Sequence, residues 1–528
     1  MPPIKTIFSN RNLFLFGLFL VVVGMPLSKF LMSLGQFVML GNWIIEGEWK
    51  RKWQVIRTSR VLWVLSSFYL MHLVGLLWTS DFNYAANDLR IKLPLLWFPL
   101  LFSTTRPLEK KEIDGLLNFF IVATFLASII SMFVLFGWTR KRVTDIRDIS
   151  IFNSHIRFAL MIVLCICILL YDYLSSKTIP QYFLKGLLVL WFVVFLMIME
   201  SLSGILILGV VLFYIFIRYM SSRENIFLKY FPFILLISGV ILMTYLIKSE
   251  CDKYYTKRKV NYEALYASKT PNGKYYHHDT SSNVTENGYP VWLYNEYDEL
   301  RGAWNKVSSV KFDSIDKKGN LISHTLIRYL TSKGFRKDSF TVTLLTTEEI
   351  AEIERGVSNY RYSNTGDLRS RIHEVIWEYD NFLNGINPSG HSLLMRLEFW
   401  KTGLDIVRAK PLFGVGTGDV RKAFELQYRL NNSKLEESWR LRSHNQFLAI
   451  AIAFGIAGLL LFCTWLFLPP LLQKNKHPLF ALFFIIALLS MLNEDTLETQ
   501  AGVTFYGFFY CCFLFSGSSL KERFPEAA

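Results

Sequence analysis

The residues able to do chemistry in this sequence are few, and they sit at the edges of long apolar runs. His444 stands in Ser443-His444-Asn445, where a long polar segment meets the apolar run Phe447 to Leu468. Ser443 is expected to N-cap the helix that follows, which puts the imidazole at a helix entrance. The positive end of the macrodipole disfavours imidazolium there, so the ring is expected to stay neutral and able to take a proton near pH 7. A lone histidine at such a boundary is also common with no chemistry attached, and spacing alone leaves both readings open. His72 falls inside an apolar run, and His277-His278-Asp279 has no partners at metal-ligand spacing, so no metal site is expected.

Cations form the second group. Arg90 and Lys92 flank the start of one apolar run; Arg140, Lys141, Arg142 and Arg147 form a cluster that leads through His155 to Arg157 at the start of another. Short extracytoplasmic links with this many cations run against the positive-inside bias. One reading has them neutralising an anionic lipid-linked substrate, with arginine forking onto phosphate. The others are contact with lipid headgroups and an error in span parity.

These groups need a scaffold, and the composition says which kind. Of 528 residues 52% are apolar, 16% aromatic and 19% charged, against roughly a quarter charged in soluble chains. Mean hydropathy is +0.30. Runs such as Val61 to Trp78 and Ile156 to Leu170 approach the length of a membrane span. A disordered chain, a nucleic-acid-binding protein and a small secreted domain are thereby excluded. The formal charge of +15 follows largely from the positive-inside bias. Five of six cysteines lie in apolar runs, so no disulfide framework is available.

The predicted fold is an all-α polytopic membrane protein with about 12 transmembrane helices. Candidate spans lie near 12–26, 28–46, 61–78, 91–104, 114–137, 156–172, 183–199, 203–219, 230–248, 445–468, 478–493 and 501–516, the first read as retained rather than cleaved. The span at 91–104 is the weakest, being short and holding Pro94 and Pro99. Lys50, Arg51, Lys52, Arg57 and Arg60, then Arg106, Lys110 and Lys111, then later basic links and the tail all fall on one side with both termini, the cytoplasm. The predicted organisation is a bundle over 1–248, a polar extracytoplasmic domain over 249–443, C-terminal spans over 444–517 and a tail over 518–528.

Within the polar segment the pattern predicts a mostly helical α+β domain. Val307 to Phe312 reads as a strand, Asp316 to Asn320 as a turn, and Leu321 to Lys333 as a helix stopped by Gly334. Thr346 and Glu349 make a capping box, Leu368 to Tyr379 recurs at helical spacing, and Ser392 opens a helix to about Lys410. Pro411-Leu412-Phe413-Gly414-Val415-Gly416-Thr417-Gly418-Asp419 follows. It lacks a Gly-Lys-Ser/Thr ending and comes after a helix, so it is not a nucleotide loop. It reads as a tight turn built on Gly414, Gly416 and Gly418, with Asp419 capping the next helix.

Arg396-Leu397-Glu398-Phe399-Trp400, then Pro411 to Gly418, then His444-Asn445-Gln446-Phe447-Leu448 ending at Gly455-Ile456-Ala457-Gly458, resemble in order and spacing the O-antigen ligase family. Asp81 to Pro99, His155 to Phe158 and Glu494 to Gln500 also resemble family members, so the resemblance covers most of the membrane part. Two departures stand out. Ser201-Leu202-Ser203-Gly204 occupies a place where many members carry an arginine, and roughly 255–385 is an insert ahead of the motif-bearing 392–443.

The resemblance implies a GT-C-like glycosyltransferase of the bacterial inner membrane, its site facing the periplasm, that uses no cofactor, nucleotide or nucleic acid. Its implied partners are an undecaprenyl-diphosphate-linked glycan donor, a lipid A–core acceptor and the surrounding membrane lipids. His444 is implied as general base. Arg157, Arg396, Arg90, Lys92, the Arg140, Arg142 and Arg147 cluster, and Asn445 are implied as substrate contacts. A glycan polymerase or protein O-oligosaccharyltransferase fits the same motifs, and a transporter is the alternative from another class.

Overall fold

The computed structural model describes residues 9–139, 146–173, 178–256, 260–282, 284–363, 368–383 and 387–517. In chain order the first ten helices are α1 (Asn10–Leu27), α2 (Lys29–Ile45), α3 (Trp49–Thr58), α4 (Arg60–Val74), α5 (Phe82–Lys92), α6 (Pro94–Thr104), α7 (Lys110–Leu135), α8 (His155–Tyr173), α9 (Ile179–Ile198) and α10 (Leu202–Ser221). There follow α11 (Ile226–Tyr255), α12 (Tyr262–Leu265), the two-residue strands β1 (Thr285–Glu286) and β2 (Tyr289–Pro290), α13 (Tyr297–Val307), α14 (Ile322–Ser332), α15 (Ser339–Thr343), α16 (Thr347–Glu354) and α17 (Leu368–Leu383). The last five are α18 (Ser392–Ala409), α19 (Val420–Leu430), α20 (Gln446–Leu472), α21 (Phe480–Asn493) and α22 (Gln500–Phe515).

Two compact units result, one of 1–222 with 395–528 and one of 223–394. The polar segment expected over 249–443 is thus divided, with 395–443 belonging to the unit that holds most of the apolar helices. In that unit every residue from Phe158 to Leu169 of α8 is buried, as is every residue from Ala501 to Phe515 of α22. A helix buried on all sides is the core of a bundle. By contrast α9 buries only Phe192, Phe195 and Leu196 of its apolar side chains and α10 only Ile207, Leu208 and Val211, which is inexpensive only where hydrocarbon is the solvent.

Among the described residues eight helices are long and apolar enough to cross a membrane, against the twelve spans expected. They are α1, α4 with its 3-10 extension to Trp78, α7 to α11, and α20. Helices α2, α21 and α22 are shorter, at 17, 14 and 16 residues. The weak span expected at 91–104 is the 11-residue α6, which begins at Pro94 and abuts α5. At 1.5 Å per residue it reaches only about 16 Å, half the hydrocarbon thickness.

The second unit packs Val291, Leu300, Trp304, Ile322, Leu326 and Ile353 into its own core. The capping box of Thr346 and Glu349, the stop at Gly334 and helices α14, α16 and α17 lie where the pattern put them. The strand expected at Val307 to Phe312 is not formed. Trp304 Nε1 donates to the Val310 carbonyl at 2.8 Å and Asn305 Oδ1 accepts from Phe312 N at 2.9 Å, so side chains of α13 take the bonds a partner strand would need.

Candidate functional site

A broken helix sets the frame. Within α20, Gly455 adopts φ 64° and ψ −161°, interrupting the hydrogen-bond ladder. The glycine-rich turn between α18 and α19 repairs it. Val415 N donates to the Ile452 carbonyl at 3.0 Å and Gly416 N to the Ala453 carbonyl at 2.8 Å, while Ile456 N donates to the Pro411 carbonyl at 2.8 Å. A Cβ on Gly414 (φ 65°) would lie 2.5 Å from the Ala453 carbonyl carbon, and one on Gly455 would lie 2.4 Å from that of Leu412. The two glycine motifs are halves of one joint, with backbone approaching backbone. Gly418 presses on α5's entrance, since its Cβ would meet the Asp81 carbonyl oxygen at 2.1 Å. Asp419 stands at the N-cap position of α19 but makes no side-chain cap bond. Its carboxylate instead accepts from Ser80 N at 2.7 Å and Asp81 N at 3.0 Å, fixing the loop ahead of α5.

This joint anchors the start of α20, where His444 sits. The cap is Asn445, not Ser443 as expected: Asn445 Oδ1 accepts from Leu448 N at 3.0 Å and its Nδ2 donates to the Leu492 carbonyl at 2.9 Å. Both ends of the Asn445 amide therefore make a bond within the fold. His444 itself takes φ 46°, a left-handed conformation rare outside glycine. Its ring stacks on Phe399 of α18 with centroids 5.6 Å apart, and its Nδ1 bonds Glu494 Oε2 at 3.1 Å. With Nδ1 donating to that carboxylate, Nε2 carries the free lone pair. Burial alone would lower the His444 pKa, but the hydrogen bond and charge of Glu494, with Asp495 behind it, raise it above the ordinary imidazole value. The neutral ring expected from the helix dipole is thus opposed by a carboxylate that sequence distance concealed.

His444, Glu494 and Asp495 line a cavity of about 980 Å³ together with Tyr84, Arg157 and Arg442. Arg157 enters it with Nη1 donating to Ser154 Oγ at 3.1 Å and with Nε buried and unpartnered. Such an orphan donor is costly unless something binds it. Arg442 spans two carboxylates, Asp495 at 3.3 Å and Glu498 at 3.3 Å. Their charges outweigh burial and raise its pKa. Burial would raise the Glu498 carboxyl, but Lys92 and Arg442 hold it well below the usual range.

The other cations are placed differently from one another. Arg396 pairs with Asn493 and, at 3.4 Å, with Glu494, so it faces the partner of His444. Lys92 is buried and bonded to Asp88 and, at 2.9 Å, to Glu498, so two carboxylates already face its ammonium. Arg90 is exposed and donates to Asn87 at 2.7 Å. Arg140 and Arg142 lie outside the described residues, and Arg147 falls in the 3-10 turn Ile146–Ile149. Sequence reasoning passed over Arg442, Arg421, Arg429 and Arg440, all of which line the cavity. Arg442 stands two residues before His444, and Arg421, Glu425 and Arg429 repeat every fourth residue on α19, a signal of one shared face.

One ligand-type atom from each of His444, Glu494 and Asp495 lies within 4.8 Å of the others. Each carboxylate also has a guanidinium partner, Glu494 in Arg396 and Asp495 in Arg442.

A search of curated proteins finds no relative that matches. Residues 343–463 match the family model described as O-antigen ligase, a stretch holding Arg396, the Pro411 to Gly418 turn, His444 and the break at Gly455. Over that stretch, about a quarter of the chain, the protein is similar to the O-antigen ligase family.

Proposed function

We propose that this protein is an inner-membrane glycosyltransferase that moves a polysaccharide from undecaprenyl diphosphate to the lipid A–core of lipopolysaccharide. The observation carrying this reading is the His444–Glu494 pair opening into a cavity that Arg157 also lines, its Nε buried and without a hydrogen-bond partner. The Nε2 of His444 takes the proton of an acceptor hydroxyl as its oxygen attacks the anomeric carbon. The bond from that carbon to the diphosphate breaks on the opposite face, so the configuration inverts. Arg157 and Arg442 meet the charge that develops on the departing diphosphate. Glu494 steadies the imidazolium formed, and Arg396 holds Glu494.

In the segment Ser201–Gly204, where many family members carry an arginine, Ser203 Oγ accepts from Asn493 Nδ2 at 2.7 Å. Asn493 in turn bonds Arg396, so serine here supports the site rather than binding phosphate. Arg157 does that work. The Lys/Arg asymmetry of the links supports cytoplasmic termini and a site facing the periplasm.

Deleting the gene tests the proposal. Free lipid-linked polymer of normal length is the expected result. Single-repeat products would make the protein a polymerase, and loss of glycan from a protein acceptor would make it a protein O-oligosaccharyltransferase.

A further inference from the structure

Three carboxylates, Glu494, Asp495 and Glu498, lie near the His444 segment, and Glu498 collects bonds from two cations and an amide. Its Oε2 accepts from Lys92 Nζ at 2.9 Å and from Arg442 Nη1 at 3.3 Å, and its Oε1 accepts from Gln446 Nε2 at 3.2 Å. The Gln446 side chain is fully buried and uses its other end too, Oε1 accepting from Leu497 N at 2.7 Å. Gln446 and Arg442 bracket His444 two residues to either side. Glu498 lies four residues beyond Glu494 in a short 3-10 turn, Thr496–Glu498. The segment carrying the imidazole and the segment carrying its carboxylate partner are therefore joined at two points on either side of His444.

We propose that Glu498 and Gln446 form a positioning clasp that sets the register of residues 442–446 against 494–498 and so holds His444 on Glu494. This rests on the reading of His444 as the general base. Neither residue needs to touch the reacting atoms. His444 occupies a left-handed backbone position on a single residue, so a small slip of one segment past the other would swing the ring off its carboxylate. Misplacement of a catalytic group by about 1 Å costs up to about 10²-fold in rate. Lys92 supplies the counter-charge that lets Glu498 remain ionised while buried. The charged groups facing His444 are Glu494 and Asp495 from the loop after α21 and Arg396 from α18, with Arg442 on its own segment.

The test uses the full-length protein in detergent and reads two quantities. Diethyl pyrocarbonate modifies neutral imidazole, so the pH midpoint of His444 modification, followed on its own peptide by mass spectrometry, reports the basicity that Glu494 confers. Steady-state transfer gives kcat and KM for the lipid-linked donor. Gln446→Met opens the clasp without changing any charge; Glu498→Gln removes its central carboxylate; Glu494→Gln is the reference.

Gln446→Met and Glu498→Gln are expected to move the midpoint to lower pH, in the same direction as Glu494→Gln, and to lower kcat by up to about 10²-fold with KM little changed. Should Glu498→Gln fail to accumulate, the double variant Lys92→Met/Glu498→Gln removes both charges together and decides in the same way. Midpoints equal to wild type in the clasp variants, with Glu494→Gln shifted, would overturn the clasp. An unshifted Glu494→Gln would overturn the pair and the clasp together. A wild-type protein that transfers no glycan would sink the proposed function while the midpoints still report on the clasp.

Discussion

Replacing His444 separates catalysis from stability more cleanly than any other change. Asparagine is the most informative substitution, because it tolerates φ 46° and can still donate to Glu494, yet cannot accept a proton. The packing loss is the ring stack on Phe399, worth about 0.5–1.5 kcal/mol. The bond to Glu494 is partly retained. Loss of the proton acceptor is a larger effect: general-base catalysis contributes about 10²–10⁴-fold, or about 3–5 kcal/mol of barrier. Glycine gives an independent control, since it relieves the left-handed backbone by about 1 kcal/mol and so offsets the lost packing. The assay is transfer from a lipid-linked glycan to lipid A–core by purified protein in liposomes, beside thermal unfolding of the same preparations. Both variants should unfold within a few degrees of wild type and transfer at least 10²-fold more slowly. They should also lose the acidic limb of the pH profile. Near-normal turnover by His444→Asn would refute the assignment of the base, because asparagine cannot take the proton.

Glu494→Gln should shift the acidic limb to lower pH while slowing transfer, since the carboxylate is what raises His444; an unmoved limb would mean that Glu494 is not its partner in solution. A histidine whose folded pKa is raised contributes stability that is full below its ordinary value of 6.5 and is lost as pH rises through the raised one. The excess stability of wild type over His444→Asn should accordingly shrink from pH 6 towards pH 8, as read by paired melting curves. Arg157→Lys keeps the charge but loses the planar fork, so donor turnover should fall; wild-type rates would remove Arg157 from the diphosphate. Gly455→Ala should destabilise the first unit, because its Cβ meets the Leu412 carbonyl carbon at 2.4 Å in a left-handed position. An unchanged melting temperature would argue against the joint. Alkaline phosphatase fused near residue 320 should be active and a fusion after Ala528 inactive; the reverse would invert the topology.

Composition and periodicity were enough to read a helical membrane protein from this chain, because an apolar run of span length and a helix stop such as Gly334 are local properties. His444 was legible for the same reason: Ser443-His444-Asn445, the turn at Gly414 to Gly418 and the glycines at 455 and 458 are contiguous words at short spacing. What pairs with them was not legible. Glu494 lies 50 residues from His444 and Glu498 lies 406 from Lys92, and no periodicity links such positions. Charge alone made Lys92 and Arg157 equivalent candidates for phosphate. Tertiary packing separated them, burying Lys92 between two carboxylates and leaving Arg157 Nε without a hydrogen-bond partner. Ser443 and Asn445 were equally good caps by type, and the choice fell to Asn445 once Leu492 offered a carbonyl to its amide. The sign of the His444 shift followed in the same way, because the helix dipole is a local field whereas the opposing carboxylates arrive only when α21 packs its C-terminal end against the start of α20.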